Sequence, residues 1–187
     1  MGRPKAALSI GGRPILQYII ESLRWPGPTL LVTGPTREHP PGCEFFDREV
    51  ADPVEGEGPL RGVLTALQHS VTELVVVCTV DMPAMRAEHL GWIAGRLLER
   101  PQLDGIMIRR RDGHRELVEP FPFACRSAAA DAIAAQLASS AAVHSLLERP
   151  RFAAEGAPPG WPPRIWTNLN TPDEYEAFLA ETGQRGD

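Results

Sequence analysis

The apolar positions change their period repeatedly along the chain. In "RPILQYIIESL", Ile15/Leu16, Ile19/Ile20 and Leu23 recur at three-to-four spacing, which predicts a helix with one buried face, and Pro14 suits its first turn. "TLLVTG" is a short apolar run ending in glycine and reads as a buried strand. The helical period returns in "GPLRGVLTALQHS", where Leu60, Val63/Leu64 and Leu67 share a face behind Pro59. "ELVVVCTVDMP" holds a continuous run from Leu74 to Val80. It is short and rich in β-branched residues, so it predicts a strand buried on both faces. "EHLGWIAGRLLE" reads as a helix, "DGIMIRR" and "VEPFPFACR" as strands, and "SAAADAIAAQLASS" and "AVHSLLER" as helices. "EGAPPGWPPR" reads as a loop, "IWTNLN" as a short strand and "TPDEYEAFLAE" as the last helix.

Strand and helix alternate through the first half of the chain, which argues for an α/β fold with a mostly parallel central sheet. At 187 residues the expectation is a single domain over residues 1–180, with 181–187 as a tail. Hydrophobic residues make up 43% and charged residues 23%, a balance that supports a packed core and excludes a disordered chain. The net charge is −5, and the one basic run, Arg109-Arg110-Arg111, is short, so nucleic acid is not an expected partner. No apolar run has the length of a membrane span. Nor is there the apolar stretch of a signal peptide, and the expected location is the cytoplasm. Cys43, Cys78 and Cys125 are odd in number and form no CxxC pair. The spacing therefore suggests neither a zinc site nor a disulfide framework.

Candidate chemistry follows from the strand ends, beyond which open α/β sheets bind their ligands. Asp81 stands directly after the run Leu74–Val80 and before Pro83. A carboxylate there can hold a hard cation such as Mg²⁺ or cap the next segment. Asp52 precedes "PVEGEGPLRG", a glycine-containing loop that runs into a helix. Helix starts offer N–H groups to anions, but Glu55 and Glu57 oppose free phosphate, so a base or ribose is the expected contact. Lys5, in a Gly/Pro turn, can act as a point charge on a phosphate or serve as a surface lysine. Thr171 and Glu174 form a T-x-x-E capping box with Pro172 at the first helical position. That does not account for Asn168 and Asn170, which alternate just before it. From an extended segment both amides would face the same way. His114 and Arg115 follow Asp112-Gly113, a hairpin-turn pair, and read as loop residues.

These pieces occur together in one order. On "MGRPKAALSIGGRPIL", "GPLRGVLTAL", "VVVCTVDMP", "DGHRELVEPFPFACR" and "NLNTPDEYEAFL", the chain resembles the molybdenum cofactor guanylyltransferases, within the nucleotidyltransferases that activate sugars and cofactors. The resemblance implies a Rossmann-like nucleotidyltransferase fold. It implies transfer of GMP from GTP to molybdopterin with release of pyrophosphate, and molybdoenzymes or other cofactor-biosynthesis proteins as partners. It implies Asp81 as ligand to a Mg²⁺ cofactor, Lys5 on the nucleotide phosphates and Asp52 on the nucleoside. Asn168 and Asn170 would stand on the pterin side, with His114 and Arg115 as weaker candidates there. Molybdopterin cytidylyl transfer, another sugar- or cofactor-phosphate nucleotidyl transfer, and a non-catalytic paralogue remain alternatives.

Three departures stand out. Relatives often place an asparagine where Thr33-Gly34 stands, and a small residue where Arg61 stands. The family also carries a strand and a Leu-Ala-Gly-Gly-x-Ser-x-Arg loop directly before the Met-Gly that opens this sequence. The expectation is that the natural protein has them ahead of Met1; a truncated form and a degenerate paralogue are the competing readings. Without that strand, two strand edges would face a gap; the chain alone is expected to fold poorly or aggregate unless another segment fills that gap, and activity is expected of the form that carries the strand and loop.

Overall fold

The computed structural model describes residues 5–36 and 39–184. A 3₁₀ turn, Lys5–Ala7, leads into a two-rung hairpin of β1 (Ser9–Ile10) and β2 (Arg13–Pro14). Its turn is Gly11-Gly12, both at positive φ, a conformation that glycine adopts without a Cβ penalty. α1 (Ile15–Leu23) follows and buries Ile15, Leu16, Tyr18, Ile19 and Leu23. Next come β3 (Leu30–Thr33), β4 (Arg48–Ala51) and α2 (Pro59–His69), whose buried face includes Leu60, Val63, Leu64 and Leu67 as the period predicts. β5 (Leu74–Val77) and α3 (Ala87–Leu98) precede a long hairpin of β6 (Gly105–Asp112) and β7 (Arg115–Arg126). α4 (Ala130–Leu137), β8 (Phe152–Gly156) and α5 (Pro172–Thr182) complete the order.

The strands form three separate sheets. β1 pairs with β2, β3 pairs with β4 in parallel, and the third sheet has the order β5-β7-β6-β8. In that sheet β6 and β8 are parallel while β7 runs antiparallel to both its neighbours. β5, β6 and β8 therefore point the same way, and the sheet is mixed rather than mostly parallel. α2 packs on both β3 and β5, yet no ladder joins those two strands. Among the described residues each has one free edge.

That edge explains a correction. The ladder of β5 stops at Val77, which pairs with Phe123, and residues 78–82 leave the sheet in a turn closed by Met82 N–H on the Thr79 carbonyl at 3.2 Å. Leu74–Val77 are half-buried, not fully buried on both faces: β7 bonds to one edge of β5, and the other edge is open among the described residues. "IWTNLN" is not a strand either: a 3₁₀ turn, Pro163–Trp166, gives way to extended chain. "AVHSLLER" folds as 3₁₀ turns over Val143–Glu148. β8 was not foreseen, because "FAAEG" carries weak strand propensity and forms against β6 through tertiary pairing. The last helix runs to Thr182 and ends on Gly183 in the left-handed conformation, two residues into the expected tail. Among the described residues no helix is long and apolar enough to cross a membrane.

α3 begins with a ring in place of a cap carboxylate. The His89 Nδ1 accepts the Arg86 N–H at 3.0 Å, and the ring packs edge-on against Trp161. His89 is buried, and that burial lowers its pKa, with Arg86 adding to the effect and Glu88 opposing it. A base lowered in the folded state is neutral there while the unfolded chain protonates first, so stability is lost as pH falls below about 6.5. Thermal melts between about pH 7 and 5 should show a destabilisation that shrinks in His89→Asn, whose amide oxygen can accept the same N–H without titrating. An unchanged slope in that variant would assign the acid loss elsewhere.

Candidate active site

Three remote segments meet at one ammonium group. Lys5 Nζ donates to Asp81 Oδ2 at 2.7 Å and to Asn170 Oδ1 at 2.6 Å. The two contacts span 76 and 165 positions of sequence, so tertiary structure alone assembles them. Lys5 is held by its 3₁₀ turn, with Leu8 N–H on the Lys5 carbonyl at 3.1 Å and Ile15 N–H on the Leu8 carbonyl at 2.8 Å. Asp81 lies in the turn beyond the carboxyl end of β5. Its Oδ1 accepts the Thr79 hydroxyl, and its backbone carbonyl accepts Leu169 N–H at 2.9 Å. That last bond fastens the segment carrying the two asparagines to the turn carrying the aspartate. The Tyr175 hydroxyl donates to the Ser9 carbonyl, fastening α5 to the opening hairpin.

The capping box of α5 contributes directly. Glu174 Oε2 accepts the N–H groups of Asn170 and Thr171, each at 2.8 Å, and these bonds hold the Glu174 carboxyl below its ordinary pKa. The glutamate that starts the helix thus also fixes the backbone of Asn170. Leu169 is buried between Asn168 and Asn170, as an alternating extended segment requires. The two amides differ in partner: Asn170 meets Lys5, whereas Asn168 Nδ2 turns back onto the Trp166 carbonyl at 3.2 Å.

Asp52 sits at the end of β4, its N–H on the Thr33 carbonyl at 2.7 Å. Its carboxylate faces the first turns of α2, where a Cβ on Gly62 would lie 3.7 Å from Oδ2. Asp52 Oδ1, Arg61 Nε and Thr65 Oγ1 are buried atoms with no hydrogen-bond partner among the described residues. Native interiors rarely leave such atoms unpaired, and a ligand is one reason they do. No hydrogen bond or ion pair joins Asp52 to the Lys5 cluster among the described residues. The tip of the β6–β7 hairpin is Gly113-His114, with Asp112 paired to Arg115. Arg115 is therefore the first residue of a strand rather than a loop residue, and both His114 and Arg115 are exposed.

Two contributors escaped the sequence reading. Thr79 orients the Asp81 carboxylate, and its position two residues earlier in an extended run was the available signal. Glu174 was read as a cap alone. Cys78 opens this turn, and burial and the nearby Asp81 charge push its thiol up to about 11, which disfavours a nucleophilic thiolate.

The donors suit a hard divalent cation. Oxygens of Asp81 and Asn170 already converge on one positive group, the Lys5 ammonium, at hydrogen-bond distance. An all-oxygen pair of this kind, one member ionised, fits the preference of Mg²⁺.

A model of the MobA-like NTP transferase domain matches residues 1–154. The chain belongs to that family. A molybdenum cofactor guanylyltransferase of Rhizobium meliloti (strain 1021) is 37% identical over 89 residues, which is 44% of this chain and 40% of that protein. The chain thus spans less than half the length of this MobA-like relative. A molybdenum cofactor guanylyltransferase of Shewanella sp. (strain ANA-3) is 24% identical over 186 residues, 98% of this chain and 90% of the relative. The crystal structure of molybdopterin-guanine dinucleotide biosynthesis protein A from Archaeoglobus fulgidus superposes with a TM-score of 0.79 at 20% identity, over 97% of this chain and 92% of that one. At that identity the likeness shows the fold, the α/β nucleotidyltransferase fold of the MobA-like family.

Proposed function

We propose that the protein transfers GMP from GTP to molybdopterin and releases pyrophosphate. The observation that carries the reading is the meeting of Lys5, Asp81 and Asn170 at one point, in a chain whose family transfers nucleotides. In the reaction a terminal phosphate oxygen of the pterin attacks the α-phosphorus of GTP, and the bond to the bridging oxygen of pyrophosphate breaks. Such transfers are driven by positioning and charge neutralisation more than by covalent chemistry of the protein.

The residues divide that work. Lys5 is about a third exposed on its side chain, so its ammonium can exchange from Asp81 to nucleotide phosphates. Asp81, oriented by Thr79, would hold Mg²⁺ together with Asn170. Bound there, the ion would neutralise phosphate charge and polarise phosphoryl oxygens. Asp52, with one unpaired oxygen beside α2, would accept hydrogen bonds from the nucleoside. Asn168 would stand on the pterin side. The reaction belongs in the cytoplasm, with a molybdoenzyme or a cofactor-biosynthesis protein receiving the product.

The test, on the chain joined to the strand and glycine-rich loop expected ahead of Met1, is release of pyrophosphate with GTP, Mg²⁺ and molybdopterin, coupled to detection of the guanylated pterin. The expected result is turnover with GTP well above that with CTP. Equal turnover with CTP would move the protein to cytidylyl transfer. Pterin binding without turnover on any nucleotide, and without nucleotide-dependent stabilisation of the melting temperature, would make it a binding protein.

A further inference from the structure

A second group of donors lies in the connection between β3 and β4 and on β4 itself, and shares no residue with the Lys5, Asp81 and Asn170 cluster. His39, Cys43 and Glu49 place one ligand atom each within 4.8 Å of one another, the one such cluster of three among the described residues. His39 Nδ1 is 2.9 Å from Glu49 Oε2, while Glu49 Oε1 is taken by the His39 backbone N–H at 2.7 Å. One carboxylate oxygen is thus fixed by backbone and the other faces the His39 ring, with the Cys43 sulfur beside the carboxylate.

The chain between these donors is built to hold them. "HPPGC" closes with Cys43 N–H on the Pro40 carbonyl at 3.0 Å, and two prolines leave little freedom inside the turn. His39 lies at φ 54 directly before Pro40, and Gly42 lies at φ 89. A left-handed histidine before a proline is an unfavourable backbone state, and such states persist where surrounding contacts require them, often at ligand clamps. Gly42 has no alternative: a Cβ there would meet the Gln17 backbone nitrogen at 2.8 Å. Glu49 projects from β4, a strand anchored along its length to β3.

We propose that His39, Cys43 and Glu49 bind a borderline-soft divalent transition ion of the Zn²⁺ class, with the fourth position open to water. The donor set is the reason. Imidazole nitrogen, thiolate and carboxylate match Zn²⁺ or Co²⁺, whereas Mg²⁺ avoids sulfur. In a tetrahedral site the ligand atoms lie roughly 3.3–3.7 Å apart, given bonds of about 2.0–2.3 Å, and the present separations bracket that span. The ion would replace the proton between His39 Nδ1 and Glu49 Oε2 and the proton on the Cys43 thiol, leaving the His39 backbone bond to Oε1 in place. The His39 side chain is largely exposed, which gives the ion an entry path. A nucleophilic role for Cys43 fits less well, because its neighbour is a carboxylate instead of a cation. The C-x-x-C spacing by which sequences announce zinc is absent; this set pairs H-x₃-C with a glutamate on the next strand.

Chelator-stripped, reduced protein titrated with Co²⁺ tests the site. One equivalent should bind with a thiolate-to-cobalt charge-transfer band, and Zn²⁺ should displace it. Cys43→Ala should abolish the band, and His39→Ala should weaken Zn²⁺ binding by at least about 100-fold, the upper range for partners one shell beyond the ligands. Cys78→Ser should retain both signals. A band that survives Cys43→Ala, or Zn²⁺ affinity unchanged in both ligand variants, overturns the proposal. The His39→Ala and Cys43→Ala variants should keep the wild-type circular dichroism, since neither His39 nor Cys43 belongs to the core.

Discussion

Asp81→Ala is expected to lower GTP-dependent pyrophosphate release by at least about 10²–10³-fold, the usual consequence of removing one preorganised charge stabiliser. The loss should leave the fold intact. The Asp81 side chain is partly exposed and its ion pair with Lys5 is shared with solvent, so the pair contributes at most about 1 kcal/mol to stability. The carbonyl that anchors Leu169 is backbone and survives the substitution. Asp81→Asn separates charge from shape: it keeps one acceptor oxygen, for Lys5 or for Thr79, and puts an uncharged amide donor in place of the other. It should melt close to wild type, as Asp81→Ala does, and recover hardly any turnover. Rates near wild type in Asp81→Ala would remove the residue from the metal site.

Lys5→Ala should also lower turnover by orders of magnitude; a change under about tenfold, ~1.4 kcal/mol, would leave Lys5 a surface lysine with a structural partner. In the proposed roles both residues serve to neutralise charge on the same nucleotide phosphates, Lys5 directly and Asp81 through the ion, so their effects should not add. The double variant should be little worse than Asp81→Ala alone. Full additivity would mean that Lys5 and Asp81 act on different parts of the reaction.

The legibility of this site was uneven, and the unevenness has physical causes. Asp81 could be picked out because the end of an apolar run marks a strand terminus. Asn168 and Asn170 could be picked out because alternation in an extended segment leaves two amides on one side, and the structure sets buried Leu169 between them. That Lys5 would touch Asn170 could not be read, because nothing local encodes a contact across 165 positions. The helices α1, α2, α3 and α5 were legible from their period and their prolines. β8 was not, since Ala153 and Ala154 gain strand structure from pairing with β6. The segment Pro163–Asn170 misled in the opposite sense: its apolar Ile165 and Trp166 pack against the core from 3₁₀ turns, and among the described residues no ladder includes them.

The second large effect concerns the edges of β3 and β5. Both strands pack on α2, neither bonds to the other, and the apolar residues along them are half-buried: Leu30, Leu31 and Val32 on β3, and Val75, Val76 and Val77 on β5. Unpaired N–H and C=O groups beside half-buried valines are a template for pairing with another chain. The 187-residue chain studied by itself is therefore expected to self-associate as its concentration rises, which light scattering across a dilution series would detect. A designed apolar strand and glycine-rich loop joined ahead of residue 1 should suppress that association. It should also raise stability by several kcal/mol, since each Val or Leu side chain taken fully from water contributes about 1.5–3 kcal/mol against a net domain stability of about 5–15 kcal/mol. Two controls give the experiment its force. An extension of equal length made of Gly and Ser should change neither property, because it offers no side chains to bury. A monomeric 187-residue chain at every concentration, melting as high as the extended form, would mean that the two edges are already protected and that the division into three sheets carries no energetic penalty.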